Sequence, residues 1–453
     1  MKDYREYFAG KKVTVMGLGL LGRGVGDAAL IAEAGAAEVI VTDLKSAEEL
    51  QSSIAALQAH ENISYSLGGH KEEDFTDRDL VLVAAGVPAD SEFVRIAKSK
   101  SAYVAQSAAL FAELSGIPII GVTGTRGKST VTMMIHHCLQ QITGERILLG
   151  GNVRGVSNLQ LLKDVKSESL CVMELDSWQL QGWGWANMSP QVAVFTSFME
   201  DHLNYYMRNG VTKEEAMAAY FIDKAQIFLH QDESGTLVTT PAVFEWLKKV
   251  LPDYTLGQEV KLVDSSLIPE EAHLAMPGEH NRLNAALATT ALEALGIEES
   301  VIYEALALFP GVEGRLQLVK TYDNVRVYND NNATTPQATQ AALEALDLGN
   351  QNIILIAGGA DKNISVENLA YVITEHCKQV ILTPGSGTDR LLELLHENTS
   401  VSVVADLAAA VATATAAAKA GDIILFSPAF ASFAQYKNEY ERNDQFLSLI
   451  EKL

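Results

Sequence analysis

Cysteine is scarce in this chain. Only Cys138, Cys171 and Cys377 occur in 453 residues, far apart and with no CxxC pair. Cys138 and Cys171 lie in apolar surroundings and read as small core residues, and the set fits a reducing compartment rather than a disulfide-built scaffold. Basic charge is short as well. There are 34 Lys and Arg against 57 Asp and Glu, a net charge of −23. Such a surface repels nucleic acid and anionic membranes, so neither is expected as a partner. Any anionic substrate must be held by local basic groups or helix N-termini, against the overall field. Long apolar runs are missing too. None reaches the roughly 20 residues that span a bilayer. The opening Met1-Lys2-Asp3-Tyr4-Arg5-Glu6 is mixed and charged, unlike a signal peptide, so a cytoplasmic protein is expected. Neither an internal repeat nor a disordered tract is evident.

What is present is a soluble composition, 48% hydrophobic and 20% charged. The length predicts two to four domains at ~100–200 residues each. The chain opens on a strand at Val13–Met16, a glycine turn from Gly17 to Gly22, an Ala-rich helix ending near Gly35, and a strand Val39–Thr42 ending at Asp43. That is a βαβ unit. Leu80–Val83 is a further strand. A second α/β block starts near 111, with apolar strands at Ile117–Val122, Leu170–Met173 and Val192–Phe195. A third starts after Phe309-Pro310-Gly311, with strands at Val325–Tyr328, Ile353–Ile356, Val380–Leu382 and Ile423–Phe426. Between the last two, Asp406 suits an N-cap, the alanines a helix, and Gly421 its C′ position. Three α/β domains follow, at 1–110, 111–310 and 311–453.

The motif with the most chemical content is Gly121-Val122-Thr123-Gly124-Thr125-Arg126-Gly127-Lys128-Ser129-Thr130. It follows a strand and opens a helix, where backbone N–H groups bind phosphate and glycines let them come close. Lys128 would meet the β- and γ-phosphates and Ser129 would coordinate Mg²⁺. The strict phosphate-loop pattern is not met, because Val122 stands at its first glycine. The earlier turn, Gly17-x-Gly19-x-x-Gly22 with Asp43 after it, satisfies the dinucleotide fingerprint. It says that a diphosphate could sit there, with Asp43 accepting from a ribose or base, or that the turn is simply tight. By itself it suggests a nicotinamide-dependent dehydrogenase, which leaves the second loop unexplained. Two phosphate sites imply two nucleotides, or ATP with a nucleotide-linked substrate. Trp178, Trp183 and Trp185 read as core or loop packing.

Here the sequence resembles the Mur ligases. The form of the phosphate loop is theirs, as are Gly151-Asn152-Val153 and Glu174-Leu175-Asp176-Ser177-Trp178-Gln179-Leu180. Glu200-Asp201-His202-Leu203, Asp223-Lys224-Ala225-Gln226-Ile227-Phe228 and His280-Asn281-Arg282-Leu283-Asn284 are similar to further segments of that family. In the last block, Asn329-Asp330-Asn331-Asn332-Ala333-Thr334, Gly358-Gly359-Ala360-Asp361-Lys362 and Ser427-Pro428-Ala429-Phe430-Ala431-Ser432-Phe433 look like its D-glutamate-adding branch. The similarity runs in order along nearly the whole chain.

The resemblance implies three domains. The N-terminal one would be Rossmann-like and hold the UDP part of a substrate. The central one would be a P-loop ATPase-like parallel sheet. The C-terminal one would again be Rossmann-like and bind the amino acid. The implied activity is an ATP-dependent amide ligase that adds D-glutamate to UDP-N-acetylmuramoyl-L-alanine through an acyl phosphate, for peptidoglycan. Catalysis would fall to Lys128, Glu174, His202 and Lys224, the last a lysine carbamylated in this family. Two Mg²⁺ sites are implied, with Ser129, Glu174, His202 and Lys224 as ligands. ATP would be bound by Gly124, Thr125, Gly127, Lys128, Ser129, Thr130, Asn281, Asn284, Arg315 and Asp330. Gly17, Gly19, Gly22, Asp43 and Asn152 would hold the UDP moiety, and Thr334, Lys362, Ser432 and Phe433 the amino acid. A monomer with hinges near 110 and 310 is expected.

Several positions depart from the family pattern. Arg126 replaces an Asn, either adding a phosphate contact or pointing away. Asn332 replaces a lysine near the amino acid, and Ala84-Ala85-Gly86 replaces a Ser-Pro-Gly. Residues 203–222 are longer than in the commonest members. A related ligase with another amino acid, of folylpolyglutamate type, is the alternative.

Overall fold

Short apolar runs, bounded by turn residues and buried on both faces, make parallel strands. A computed structural model describes residues 2–453 apart from 21, 209, 270, 271, 273, 275, 348 and 396–399. Its strands form three sheets. The first holds β1 (Lys12–Met16), β2 (Glu38–Asp43), β3 (Ile63–Leu67), β4 (Leu80–Val83) and β5 (Tyr103–Ala105), all parallel, in the order β3-β2-β1-β4-β5. The second holds β6 (Ile119–Thr123), β7 (Leu148–Gly151), β8 (Cys171–Glu174), β9 (Val192–Phe195), β10 (Thr236–Thr239) and β11 (Glu259–Leu262). It is also all parallel, in the order β11-β10-β9-β6-β8-β7. The third holds β12 (Gln317–Tyr322), β13 (Val325–Asn329), β14 (Ile353–Ala357), β15 (Cys377–Leu382), β16 (Val401–Val403) and β17 (Ile423–Phe426). Its order is β12-β13-β17-β14-β15-β16, with only β12 antiparallel to its neighbour.

The strands not read from sequence are β3, β5, β7, β10, β11, β12 and β16. All but β10 lie at a sheet edge. Edge strands are half-exposed, as β3, β11, β12 and β16 are, so the apolar run that betrays a central strand is diluted. One cap is corrected. Asp406 does cap the helix Leu407–Ala417, accepting from the Ala409 N–H at 2.8 Å. That helix stops at Ala418, in extended conformation, so Gly421 is not its C′ residue. Gly421, at φ +92°, instead makes the turn into β17.

The chain divides into two compact units, Met1–Leu267 with Asn284–Ala305, and Ile268–Leu283 with Leu306–Leu453. No division falls near 110. The helix Ser107–Ser115 there is almost wholly buried and belongs to one apolar cluster that takes in Val13 and Val39 of the first sheet and Met173 and Phe195 of the second. Polar contacts fasten the same junction. Asp27, on the helix Arg23–Glu33, is fully buried and accepts from Ser157 Oγ at 2.6 Å and from the Leu159 N–H at 3.2 Å. Gln160 Nε2 donates to the Gly26 carbonyl at 2.7 Å. All three cysteines are free and buried, and burial pushes the Cys138 thiol up to about 12, as an inert core thiol should be. Among the described residues no helix is long and apolar enough to cross a membrane.

The junction gives a direct test. Asp27→Ala strands a buried hydroxyl and a buried N–H, and should cost about 1–3 kcal/mol in urea unfolding. Asp27→Asn keeps an acceptor oxygen and should cost less. Equal losses in the two variants would show that the carboxyl does not fasten this seam.

Candidate functional site

Loops leaving the C-terminal ends of parallel strands are where α/β folds collect ligands. In the first unit, the loop after β6 is shaped by glycine. At Gly124, φ is +147° and a Cβ would lie 2.0 Å from Thr196 Oγ1, so no side chain fits. The exit of β9 braces the loop. Thr125 N–H donates to the Ser197 carbonyl at 2.8 Å and Arg126 N–H to Ser197 Oγ at 2.9 Å. Gly127 then turns the chain left-handed into the helix Lys128–Thr143. Asn284 packs against this turn, its Oδ1 2.6 Å from where a Gly127 Cβ would stand. The Arg126 side chain is exposed and lies 3.9 Å from Asp201, a loose pair worth little.

Two lysines meet on this loop. Lys128 Nζ donates to the Gly124 carbonyl at 2.9 Å and to the Thr125 carbonyl at 3.2 Å. Lys224 Nζ, on the helix Lys213–Ala225, donates to the same Gly124 oxygen at 2.8 Å. Lys224 is only 2% exposed and lies 4.9 Å from the Tyr220 ring centroid. Burial, and then the charge of Lys128, hold its amine well below the ordinary lysine range, against the pull of Asp176, Asp201 and Asp223. His202 joins the group at left-handed φ (54°), its ring 4.8 Å from that of Trp178. Burial lowers its pKa, favouring the neutral imidazole. Of the other tryptophans, Trp183 is in the core and Trp185 packs beside the Lys98 ammonium, so neither forms a stacking platform.

Glu174 ends β8, one strand from the phosphate loop, and is 7% exposed. Asn152 Nδ2 reaches its Oε1 at 3.4 Å, and Asn152 N–H donates to its carbonyl at 2.7 Å. The other face of Asn152 is taken. Its Oδ1 accepts from Arg23 NH1 at 2.7 Å. Arg23 was not singled out from the sequence. A basic residue directly after a glycine turn in so acidic a chain was the available signal.

Gly17, Gly19 and Arg23 line a cavity of about 280 Å³, which Ala84, Gln106 and Gln179 also border. It lies at the switch point of the first sheet, where β1 and β4 diverge. Gly22 stands at φ +81° as the N-cap of the helix. Asp43 is turned inward. Its Oδ2 accepts from the Leu18 and Gly19 N–H groups at 2.9 and 3.1 Å, and its Oδ1 from the Lys45 N–H at 2.9 Å. It braces the turn rather than facing a ligand.

Among the described residues no group of three or more His, Cys, Asp or Glu side chains converges as a metal cage. A buried carboxylate at Glu174 and a hydroxyl at Ser129 suit Mg²⁺, which keeps waters and takes one or two carboxylates beside substrate phosphates.

The second unit gathers its own set. Asp330, just past β13, is fully buried, accepting from Ser427 Oγ at 2.7 Å and from the Leu316 N–H at 3.0 Å. Burial raises it to about 7, opposed by those two bonds and by the Arg315 charge. Asn281 Nδ2 donates to the Pro277 carbonyl at 2.8 Å. Lys362 Nζ donates to Thr334 Oγ1 at 2.9 Å. The Lys362 loop pairs with the Ser432 loop through Ala360 and Ala431, at 2.9 and 3.0 Å. Ser432 is buried, whereas Phe433 is 71% exposed. Asn332 is spent locally, its Nδ2 donating to the Glu313 carbonyl at 3.3 Å.

Known proteins resemble this chain along nearly its whole length. The family model for the Mur ligase middle domain matches residues 122–250, and that for the Mur ligase glutamate ligase domain matches residues 314–430. A UDP-N-acetylmuramoylalanine–D-glutamate ligase of Roseiflexus sp. (strain RS-1) is 35% identical, over 98% of this chain and 99% of its own. One from Streptococcus sanguinis (strain SK36) is 36% identical over 98% of each. Among solved structures, MurF ligase of Thermotoga maritima in complex with ADP superposes with a TM-score of 0.59 at 17% identity, over 100% of this chain and 99% of its own. UDP-N-acetylmuramate–alanine ligase MurC of Thermotoga maritima gives 0.58 at 19%, over 98% and 99%. At those identities the likeness is one of fold, α/β with parallel sheets.

Lys224 carries a prediction with a definite sign. The unfolded chain takes up a proton that the folded amine resists, so stability should rise with pH towards the ordinary lysine range. Lys224→Met removes that cost. Its melting temperature should exceed the parent's by about 2–4 °C at pH 7, the gap closing towards pH 10. A variant that melts lower at pH 7, with no convergence on raising the pH, would show that the buried amine costs nothing.

Proposed function

This chain belongs to the Mur ligase family, and from that premise we propose that it joins D-glutamate to UDP-N-acetylmuramoyl-L-alanine, converting ATP to ADP and phosphate, in peptidoglycan precursor synthesis. The reading rests chiefly on one observation. A phosphate loop whose Gly124 carbonyl holds two lysines lies beside a strand-end carboxylate, Glu174, which is connected through Asn152 and Arg23 to a second glycine turn with its own cavity. One loop suits ATP and the other a nucleotide-linked acid. The named relatives support D-glutamate as the amine.

The chemistry divides among this chain's residues. The substrate carboxylate attacks the γ-phosphorus of ATP, the P–O bond to ADP breaks, and an acyl phosphate forms. The D-glutamate amine then attacks the acyl carbon, phosphate leaves, and the amine loses a proton. Phosphoryl transfer of this kind is mostly positioning and charge neutralisation. Gly124, Thr125, Gly127 and Thr130 cradle the triphosphate, and Lys128 swings from the loop carbonyls to its β- and γ-groups. Ser129 and Glu174 would hold one Mg²⁺, and His202 with Lys224 a second, the metal supplying charge neutralisation. Lys224 serves that role as a carbamate, which a neutral buried amine can form and an ammonium cannot. Asn281, Asn284 and Arg315 are assigned to the nucleoside and phosphates, with Asp330, whose oxygens are bound to Leu316 and Ser427, shaping its loop as Asp43 shapes the first turn. Gly17, Gly19, Gly22 and Asn152 hold the UDP portion, with Asp43 shaping the turn. Thr334, Lys362, Ser432 and Phe433 receive the amino acid, Lys362 meeting a carboxylate.

We assign the three sheets to three domains, at 1–110, 111–310 and 311–453, the outer two Rossmann-like and the central one P-loop ATPase-like, in a monomer working in the cytoplasm. A related ligase with another amino acid is kept in view by Asn332, whose amide is bound to Glu313 and offers no cation. A nicotinamide dehydrogenase is disfavoured, because the Asp43 oxygens that would meet a ribose are spent on backbone N–H groups.

The decisive assay is phosphate release from ATP with UDP-N-acetylmuramoyl-L-alanine and a panel of D- and L-amino acids. Turnover should require D-glutamate. Turnover with a different amino acid, and none with D-glutamate, would refute the specificity. Lys128→Ala should lower kcat by about 10²–10³, the usual cost of removing one donor to transition-state charge.

A further inference from the structure

We propose that Arg23 is the cationic clamp for the diphosphate of the nucleotide-linked substrate, a specificity-determining residue that makes the first cavity select nucleoside diphosphates. The inference deepens the functional reading above and rests on it.

The first argument is electrostatic. At a net charge of −23 the chain repels a diphosphate at long range. A site for one therefore needs its own positive group. Among the described residues lining the 280 Å³ cavity, Arg23 is the one with a cationic side chain. It occupies the first position of the helix that follows the glycine turn, where the helix dipole adds to its charge.

The second is that the turn's own N–H groups do not suffice. Leu18 and Gly19 N–H groups are already bound to Asp43. In a dinucleotide fold those are groups that would face phosphate. With a carboxylate seated on them, an anion in this cavity must draw its positive partner from elsewhere, and Arg23 is beside it.

The third is that Arg23 is incompletely satisfied. A guanidinium has five N–H donors. Its NH1 meets a neutral amide oxygen, that of Asn152. Its Nε is buried without an acceptor. The nearby carboxyl, Asp27, is committed to Ser157 and Leu159. A buried donor left unpaired is costly, and a forked cation held by a neutral partner at a cavity wall is suited to bidentate phosphate recognition. Asn152 also reaches Glu174, so the clamp is anchored to the same side chain that borders the ATP-side carboxylate.

The test is calorimetric titration of the full chain with UDP, UMP and uridine, for the parent, Arg23→Met and Arg23→Lys, with melting temperatures recorded for each. The parent should bind UDP more tightly than UMP, and with an affinity that falls as salt rises. Arg23→Met should weaken UDP by about 10- to 100-fold while changing uridine little. Arg23→Lys, which keeps the charge but not the fork, should fall between. Unchanged UDP affinity in Arg23→Met would overturn the assignment, and so would an equal loss for UDP and uridine, since that marks a distorted turn. If the methionine variant does not fold, the lysine variant decides, because full UDP affinity there removes the need for a fork. A parent that binds no UDP would instead overturn the nucleotide-linked substrate itself, and the clamp would fall with it.

Discussion

The carbonyl oxygen of Gly124 accepts hydrogen bonds from two lysines, and the chemistry of the central sheet depends on that crowding. Lys128 and Lys224 cannot both be comfortable as ammonium ions on one acceptor in a dry setting. Burial decides which yields. Lys224 is enclosed and its amine is held well below the ordinary range, while Lys128 is only partly buried and bonds the Gly124 and Thr125 carbonyls. One backbone atom thereby brings together a partly buried lysine and a fully buried one whose amine resists protonation. The glycine is required for this, because any side chain at 124 would collide with Thr196 and move the carbonyl.

An acidic protein that handles anions must win locally. Fields from distant surface carboxylates are screened within about 8 Å at physiological salt, so a few enclosed cations outweigh many exposed anions. The arrangement follows that logic in each unit. The first has Lys128 at one loop and Arg23 at the other. The second has, enclosed, Arg442, whose Nε donates to Asn331 Oδ1 at 2.8 Å, and, exposed, Lys362 on Thr334. Burial lowers Arg442 to about 10, and its NH2 and NH1 donate to the Asn331 and Phe430 carbonyls at 3.0 and 3.3 Å, holding those backbones in place. It is a brace beside the Asn331 and Phe430 segments, as Asp43 is a brace beside the first glycine turn.

The central strands and the glycine loops were legible in the sequence because they are written in strong local code. Short apolar-rich runs mark β1, β4, β6, β9 and β17, and glycines mark positions where a Cβ does not fit, as at Gly17, Gly124 and Gly127, or where φ is left-handed, as at Gly19 and Gly22. The edge strands β3, β11, β12 and β16 were not legible, since they are partly exposed and their apolar runs are diluted. The seam between the first two sheets was not legible either. It depends on Asp27, Ser157 and Gln160, polar residues about 130 positions apart whose pairing leaves no trace in either segment alone. The same holds for Arg23, whose meaning comes from Asn152 on another sheet, and for Asp43, which carries the motif's residue type but directs both oxygens into the turn.

Asn152 shows why those long-range pairings matter to the reaction. An amide has one acceptor and two donor hydrogens, and here Oδ1 goes to Arg23 while Nδ2 goes to Glu174. Any motion of the guanidinium towards a phosphate loosens its hold on Oδ1, and the amide is then freer to turn. Its backbone N–H still grips the Glu174 carbonyl, so the strand end stays fixed while the side chain adjusts. An aspartate at this position could not serve both neighbours, because it would set a second negative charge against Glu174. A leucine could serve neither. The neutral, two-faced amide is the side chain that lets a cation on one loop and a carboxylate on another share a partner.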